Sequence, residues 1–282
     1  MVYFGPEGNS SAFYQQGGQS TWQAMQWISG LGLTCYGYAY GRGFPVGDAA
    51  LEKIGEQARL YNLHLCVEGL YYINLASEDM TREMHYFDES LAVARGLGAE
   101  RLAFHPGSVG DMTREEAMSI AMKNLKTVVE HVKSSGLDIL LCPQIADKDH
   151  DIGTVDEIIQ LCSVDEMVYP GMAFGHLQAI TDGSLKDETD YAAVLDKVKE
   201  GCGEEKYRHM HIDFTHVRYS AAGELDHLTF ADKTWGPFFQ PLADLIAERD
   251  LEPWCMCTSK DTQAEDAVAM KKMYERALAN LK

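Results

Sequence analysis

Short runs of β-branched and aromatic residues alternate along the chain with longer runs that have the 3.6-residue hydrophobic period of a helix. This alternation constrains the fold more than any other feature, because a strand followed by a helix and another strand predicts a parallel βαβ unit. The predicted strands cover residues 2–4, 34–40, 64–68, 101–105, 138–142, 171–174, 209–214 and 253–257. Eight strands indicate an α/β fold of the (β/α)8 TIM barrel class.

Helix-period segments separate these strands. Among them are residues 49–61, 82–97, 114–134, 155–162, 190–199, 238–249 and 265–281. Gly30, Gly98 and Gly136 each follow a helical run, where a glycine with positive φ ends a helix. A length of 282 residues without a Pro/Ser-rich linker or a block of like charge predicts one barrel domain over residues 1–282.

The charge balance limits the classes of partner. The chain has 24 Lys and Arg against 43 Asp and Glu, a formal net charge of −19. Such a surface repels a phosphate backbone unless a local basic patch compensates for it, which argues against nucleic acid without excluding a local site. The first residues lack the pattern of a secretion signal, and no apolar stretch approaches the length of a membrane span, so we expect a cytoplasmic protein without a membrane partner.

Three histidines lie at predicted strand ends. His105 follows the fourth strand, His176 follows the sixth and His211 belongs to the seventh. Because the active site of a βα barrel lies at the carboxyl ends of its strands, the three side chains can converge there. Hydrogen bonding within a loop or within a polar barrel interior is the alternative for each of them.

A carboxylate and a histidine follow the seventh strand on a predicted loop. Glu224 and His227 are separated by two residues and can bind one ion together with His176. Two imidazoles and a carboxylate leave an open position on zinc, the arrangement that activates water. A solvated charged loop is the alternative.

The third strand ends at Glu68, which two adjacent tyrosines, Tyr71 and Tyr72, soon follow. The tyrosines can stack on a ring or a base of a ligand, or they can pack the loop onto the barrel rim. Arg42, after the second strand, can meet a phosphate or a carboxylate. No glycine-rich piece has the spacing of a P-loop or a dinucleotide fingerprint, so no nucleotide cofactor is expected.

Six ordered segments resemble endonuclease IV and its xylose-isomerase-like relatives. They are YYINLAS, RLAFHPGS, DHDIGT, FGHLQA, the HIDF to GELDHLTF region and TQAEDAVAMKK. The resemblance implies a metal-dependent TIM barrel in which His105, His176, His211, Glu224 and His227 match metal-binding positions of a three-zinc phosphodiesterase that acts at abasic sites. Of the three zinc sites, the resemblance retains the one formed by His176, Glu224 and His227.

The chain departs from that family pattern at four positions. Glu68 replaces a histidine, Ala173 an aspartate, Gln144 a bridging glutamate, and Thr258 falls near the position of a glutamate. A glutamine cannot bridge two cations as a carboxylate does, and alanine has no donor atom, so a two-metal mechanism is absent or rebuilt. Glu68 and Gln144 are nevertheless the catalytic candidates, and Glu68 could form a second single-ion site with His105 and His211.

Three hypotheses follow for the function. The first is a zinc-dependent phosphodiesterase acting on abasic DNA, with one or two ions of zinc or another divalent metal and with Arg42, Tyr71 and Tyr72 contacting the substrate. The second is a sugar isomerase or epimerase that uses one divalent metal and Glu68 on a small sugar or sugar phosphate. The third is a catalytically inactive barrel retained for binding. The oligomeric state has no signal in the sequence.

Overall fold

Eight parallel strands form the centre of the protein in a computed structural model that describes residues 1–40 and 47–281. The strands of the whole described chain are β1 (Tyr3–Pro6), β2 (Cys35–Ala39), β3 (His64–Glu68), β4 (Arg101–Phe104), β5 (Leu140–Pro143), β6 (Gly171–Ala173), β7 (His211–Phe214), β8 (Val217–Ser220), β9 (Gly223–His227) and β10 (Trp254–Cys257). Strands β8 and β9 pair only with each other, as an antiparallel hairpin. The other eight strands correspond to the eight predicted from the sequence.

Two isolated parallel bridges close the sheet into a barrel. Hydrogen-bonded ladders give the orders β1-β10-β7-β6 and β2-β3-β4-β5, and bridges from Glu7 to Gly37 and from Gln144 to Gly171 join these two halves. The seam between β1 and β2 is so close that a Cβ on Gly5 would lie 1.8 Å from the carbonyl oxygen of Cys35. A glycine is required at this point for the barrel to close.

Helices surround the barrel. They are α1 (Ser11–Gln15), α2 (Thr21–Gly30), α3 (Asp48–Leu60), α4 (Thr81–Leu97), α5 (Arg114–Ser135), α6 (Val155–Cys162), α7 (Phe174–Ile180), α8 (Glu188–Arg208), α9 (Phe239–Glu248) and α10 (Gln263–Asn280). Capping boxes begin α5 at Thr113 and α6 at Thr154, and glycines with φ of 70° end α4 at Gly98 and α5 at Gly136. Gly30 instead belongs to the last turn of α2, and the positive φ lies at Gly32.

The main hydrophobic core lies between the barrel and its helices, and a smaller cluster fills the barrel itself. This inner cluster consists of Cys35, Cys66, Trp254 and Met256, with Tyr3 packed against it. Above it the inward side chains become polar. The strands therefore bury their apolar residues toward one end and present titratable groups at the carboxyl end.

Two elements differ from the sequence prediction in ways that affect the site. The segment with Glu224 and His227 is a strand of a hairpin where a loop was predicted, and His176 lies on the short helix α7 that directly follows β6. Arg42, the predicted phosphate contact, lies outside the described residues. Within residues 1–40 and 47–281, none of the helices combines the length and apolar character that crossing a membrane requires.

Candidate active site

A cavity of about 680 Å³ opens at the carboxyl ends of the barrel strands. Side chains from five strand ends line it: Glu7 after β1, Glu68 on β3, His105 after β4, Gln144 after β5 and Asp213 on β7. Helix α7 and the β8–β9 hairpin close one side with His176, Glu224 and His227, and Tyr71 and Tyr72 stand at the opening. Most predicted site residues therefore share one space.

Three of these residues form a compact cluster of donor atoms. The Nε2 of His227 lies 2.9 Å from Oε1 of Glu224, and the Nε2 of His176 lies 3.5 Å from Oε2 of the same carboxylate. One donor atom from each side chain lies within 4.8 Å of the others, and no other group of three such residues in the described chain meets this condition. Two imidazoles and one carboxylate form a donor set that divalent metals accept.

The other ring nitrogen of each histidine is held by the backbone. His176 Nδ1 donates to the carbonyl of Ile145 at 3.1 Å, and His227 Nδ1 donates to the carbonyl of Thr258 at 2.7 Å. Because a carbonyl only accepts, both Nδ1 atoms carry a hydrogen and both Nε2 atoms point toward Glu224. Orientation of a metal-binding histidine through its second nitrogen is typical of metal sites.

The surroundings of Glu224 show whether a metal ion fits among these three side chains. Its Oε2 is buried and has no hydrogen-bond partner in the described structure. Burial alone would raise the pKa of Glu224, but His176 and His227 outweigh it and lower that pKa to about 2. Burial likewise opposes the charge on His227, but Glu224 raises the pKa of this imidazole to about 9. An ionised carboxylate with an unsatisfied buried oxygen between two oriented imidazoles fits a divalent cation.

A second group of polar side chains lies across the cavity and centres on Gln144. Its Nε2 donates to Oε2 of Glu68 at 3.3 Å and to Oδ2 of Asp213 at 2.5 Å. The opposite orientation of the amide would place its oxygen against both carboxylates, so only this one directs the two N–H groups of Nε2 at them. The Oε1 of Gln144 is consequently left buried without a partner in the described structure.

The carboxyl groups around this amide have different proton affinities. Burial, with Asp213 nearby, raises the pKa of Glu7 to about 7. Burial, together with Glu7 and Asp213, raises the pKa of Glu68 well above its usual value. Burial also acts on Asp213, but His211 and Gln144 lower its pKa. Three carboxyl groups therefore face the same cavity, one with a lowered pKa, one that titrates near neutrality and one whose raised pKa favours its protonated form.

His105 lies between the metal-type cluster and the aromatic rim. Its ring centroid is 5.3 Å from that of His176 and 5.5 Å from that of Tyr71. Burial and the adjacent His176 lower the pKa of His105 to about 4, so this imidazole is neutral at physiological pH. His105 is thus near the cluster without belonging to its three mutually close donors.

His211 is placed differently from the other predicted ligands. It is buried below the cavity and is absent from its lining, and its Nε2 lies 3.3 Å from Oδ1 of Asp213. Asp213, two residues further along the same strand face, reaches the cavity instead. The structure therefore separates His211 from Glu68 and His105, with which a second ion site was considered. Thr258 and Ala173 line the cavity, as their strand-end positions predict.

Glu7 is the main residue of the cavity that sequence reasoning missed. It directly follows β1 and therefore occupies a strand end, the position that identified Glu68 and His105. That signal was available, but Glu7 stands alone between a proline and a glycine, without a neighbouring histidine or acid. Asp147 and Gln263 also line the cavity and were not predicted.

Comparison with known proteins places this barrel in a family. The profile of the xylose isomerase-like TIM barrel family matches residues 25–281. The chain belongs to the xylose isomerase-like TIM barrel family. An uncharacterized protein of Methanocaldococcus jannaschii is 24% identical over 206 residues, which are 72% of this chain and 74% of that protein.

Solved structures with the same fold come from two functional classes. Endonuclease IV from Thermus thermophilus superimposes with a TM-score of 0.65 at 17% identity, over 92% of this chain and 94% of the other. A D-tagatose 3-epimerase-like protein superimposes with a TM-score of 0.66 at 15% identity, over 88% and 90%. At these identities the similarity shows the fold, and the chemistry has to be argued from the site.

Proposed function

We propose that this protein is a sugar isomerase or epimerase that uses one divalent metal ion and transfers protons on a small hydroxy-carbonyl substrate. The observation that carries the proposal is that Glu7 and Glu68 line the same cavity as His176, Glu224 and His227. A cation site thus faces two carboxyl groups across a space of about 680 Å³, within the usual size range of small-molecule sites.

We propose zinc as the ion, held by His176, Glu224 and His227, because two imidazoles and a carboxylate are a donor set that zinc favours. A divalent ion in that position would polarise the carbonyl group of a substrate. The backbone carbonyls of Ile145 and Thr258 would keep both imidazoles in the ligating orientation. Manganese or another divalent ion is the alternative, and elemental analysis decides between them.

The two glutamates supply the proton transfer in this proposal. Glu7, with a pKa of about 7, accepts a proton from the substrate carbon next to the carbonyl group. Glu68, whose pKa lies well above its usual value, holds a proton that it can return to the substrate. Gln144 fixes the Glu68 carboxyl through its Nε2, and its free Oε1 can accept from a substrate hydroxyl. An acid and a base with separated pKa values are the pair that such a reaction needs.

Cleavage of abasic DNA is the second candidate. Its support is the exposed pair Tyr71 and Tyr72 at the opening, which could stack on bases, together with the fold shared with endonuclease IV. We rank it second because carboxylates dominate the cavity and the chain carries a net charge of −19, both of which repel a phosphodiester. Gln144 and Ala173 also provide no carboxylate for a pair of bridged cations.

Deuterium exchange distinguishes these functions. The zinc-loaded protein is incubated with a panel of aldoses and ketoses in D₂O, and NMR records loss of the proton next to the carbonyl group. We expect exchange with at least one sugar, loss of exchange after chelation, and a rate lower by about 100-fold or more in Glu7→Gln, in line with the size of general-base effects. Glu78→Gln, at an exposed position outside the cavity, is the matched control and should keep the native rate.

The same preparations are tested on a duplex that contains an abasic site. Cleavage of the duplex without exchange on any sugar would replace the proposal by the second candidate. Absence of both activities from protein that holds its metal would leave a binding barrel.

A further inference from the structure

A second cavity of about 360 Å³ adjoins the candidate active site, and we call it the annex. The loops after β3, β4 and β5 form it, with residues 71–74, with 105, 107 and 108, and with 147, 148 and 150–152. Tyr71, Tyr72, His105 and Asp147 line both cavities, so the annex opens beside the His176, Glu224 and His227 cluster. Its volume alone lies within the size range of small-molecule sites.

The walls of the annex are fixed by backbone hydrogen bonds between the three loops. Leu75 N–H donates to the carbonyl of Pro106 at 2.7 Å, and Ile152 N–H donates to the carbonyl of Gly107 at 2.8 Å. Gly107 has a φ of +111°, and a Cβ on it would lie 2.3 Å from Oδ1 of Asn74. Loops that approach this closely form a preorganised site.

Carboxyl groups outnumber lysines in the lining of the annex. Lys148 Nζ donates to the carbonyl of Glu224 at 2.5 Å and lies 3.6 Å from Oδ2 of Asp147. His150 Nε2 lies 3.6 Å from Oδ1 of Asp151. Asp147 and Asp151 thus place two carboxyl groups in the annex against the one ammonium group of Lys148. A phosphate group would meet more negative than positive charge there, so this lining favours an uncharged ligand over a phosphorylated one.

The remaining lining combines aromatic rings with small polar groups. Tyr71 and Tyr72 are 52% and 59% exposed, so both rings are accessible to a ligand. Asn74 and Ser108 add amide and hydroxyl groups on the other walls. A sugar ring has an apolar face of C–H groups and a periphery of hydroxyls, so it matches one aromatic wall and several polar ones.

We infer that the annex binds a second, uncharged sugar ring, so that the substrate is a glycoside or disaccharide whose reacting ring occupies the larger cavity. This inference rests on the proposed function, because it identifies the larger cavity as the place of reaction. The shared residues Tyr71 and His105 then lie at the junction of the two rings.

Titration calorimetry on the zinc-loaded native protein tests the inference with cellobiose, maltose and lactose beside glucose and galactose. We expect at least one disaccharide to bind about tenfold more tightly than either monosaccharide, an increment typical of one added aromatic contact. Tyr72→Ala should reduce this advantage, the ratio of disaccharide affinity to monosaccharide affinity, to less than about threefold, and Tyr72→Phe should retain it because the ring remains. Tyr14→Ala is the control, since Tyr14 is similarly exposed at 51% and lines neither cavity.

The inference and the proposed function can fail separately. A disaccharide advantage that depends on Tyr72, without deuterium exchange on any sugar, would support the annex and overturn the proton-transfer function. Exchange on a monosaccharide, with no disaccharide bound more tightly, would overturn the annex alone. The inference also fails if no sugar binds or if the disaccharide advantage survives Tyr72→Ala. Thymidine is titrated as a ligand that offers a base for stacking, and binding of thymidine without binding of any disaccharide would likewise overturn the inference.

Discussion

His227 is the single residue on which metal binding should depend most, because its Nε2 belongs to the donor cluster and its Nδ1 is held by Thr258. Removing a hydrogen-bond partner behind a ligand already weakens metal sites by about 10–100-fold, so His227→Ala should weaken binding by about 100-fold or more. Elemental analysis after gel filtration should find about one ion per native chain and none in the variant. His85→Ala is the control, since this exposed histidine lies outside the cavity lining, with its Nε2 3.3 Å from Oε1 of Glu89. Equal metal in His227→Ala would contradict the site.

Glu7 should make the stability of the metal-free protein depend on pH. Its pKa is about 7 in the folded protein against an ordinary value of 4.5, so the folded state binds more protons between these two values. The free energy of unfolding therefore contains a contribution from Glu7 that is complete below pH 4.5 and is lost as the pH rises through 7. The shift corresponds to about 3 kcal/mol at most.

Glu7→Gln removes this dependence, because the amide does not ionise. Urea unfolding at about pH 5 and about pH 8, with chelator present, should show a smaller fall in the free energy of unfolding for the variant than for the native protein. Glu78→Gln should follow the native curve. Parallel native and Glu7→Gln curves would mean that Glu7 is solvated in the folded protein.

At the scale of elements, the β8–β9 hairpin has the largest effect on the site, since it carries Glu224 and His227 together. Gly223 begins β9 with a φ of +104°, and a Cβ there would lie 2.4 Å from the carbonyl oxygen of Asp147. Gly223→Ala should lower the free energy of unfolding by about 1–3 kcal/mol through backbone strain. The displaced hairpin should also weaken metal binding by about tenfold or more.

Thermal unfolding and a metal titration measure both effects of Gly223→Ala. Gly30→Ala is the matched control, because no atom lies within 4 Å of a Cβ added at the end of α2. Alanine favours a helix over glycine, so this control should be as stable as the native protein or more so. Native metal affinity in Gly223→Ala would show that the hairpin position does not determine the cluster.

Periodicity predicted the barrel elements well because each of them buries a regular apolar face. The β8–β9 hairpin was predicted as a loop, since its strands Val217–Ser220 and Gly223–His227 are short and polar and, among the described strands, form a ladder only with each other. Helix α7 was missed because Phe174–Ile180 is too short for its period to stand out and follows β6 without a loop. Both elements are held in place by tertiary contacts that a local pattern does not contain.

Depth within the barrel explains which site residues sequence could not place. His211 and Asp213 share one face of β7, but successive inward residues lie in different layers, about 6–7 Å apart along the strand. Asp213 reaches the cavity and His211 lies below it. The two-residue period of a strand predicts which face a side chain is on, but not how deep in the barrel it lies. The depth of the cavity, which separates Asp213 from His211, follows from closure of the whole barrel.

At the scale of the whole molecule, the net charge of −19 should govern which sugars the site accepts. A neutral sugar should bind with the same affinity at all salt concentrations. Its phosphorylated form should bind more weakly than the neutral sugar at about 0.01 M salt and recover part of that loss at about 0.1 M, because the Debye length falls from about 30 to about 10 Å. Calorimetry at the two concentrations measures this change directly.

The opposite salt dependence would identify a local cationic site within the acidic molecule. Phosphate binding that weakens as salt rises means that a positive group contacts the phosphate and that screening reduces this attraction. Arg42 is the predicted contact of this kind, so Arg42→Ala would then remove the salt dependence. Arg276→Ala, in the last turns of helix α10 and outside the cavity lining, would leave the salt dependence unchanged. Phosphorylated sugars could instead bind more tightly as salt rises in the native protein and in both arginine variants. The negative charge of the whole chain then outweighs any single arginine, and neutral sugars are the substrates to test.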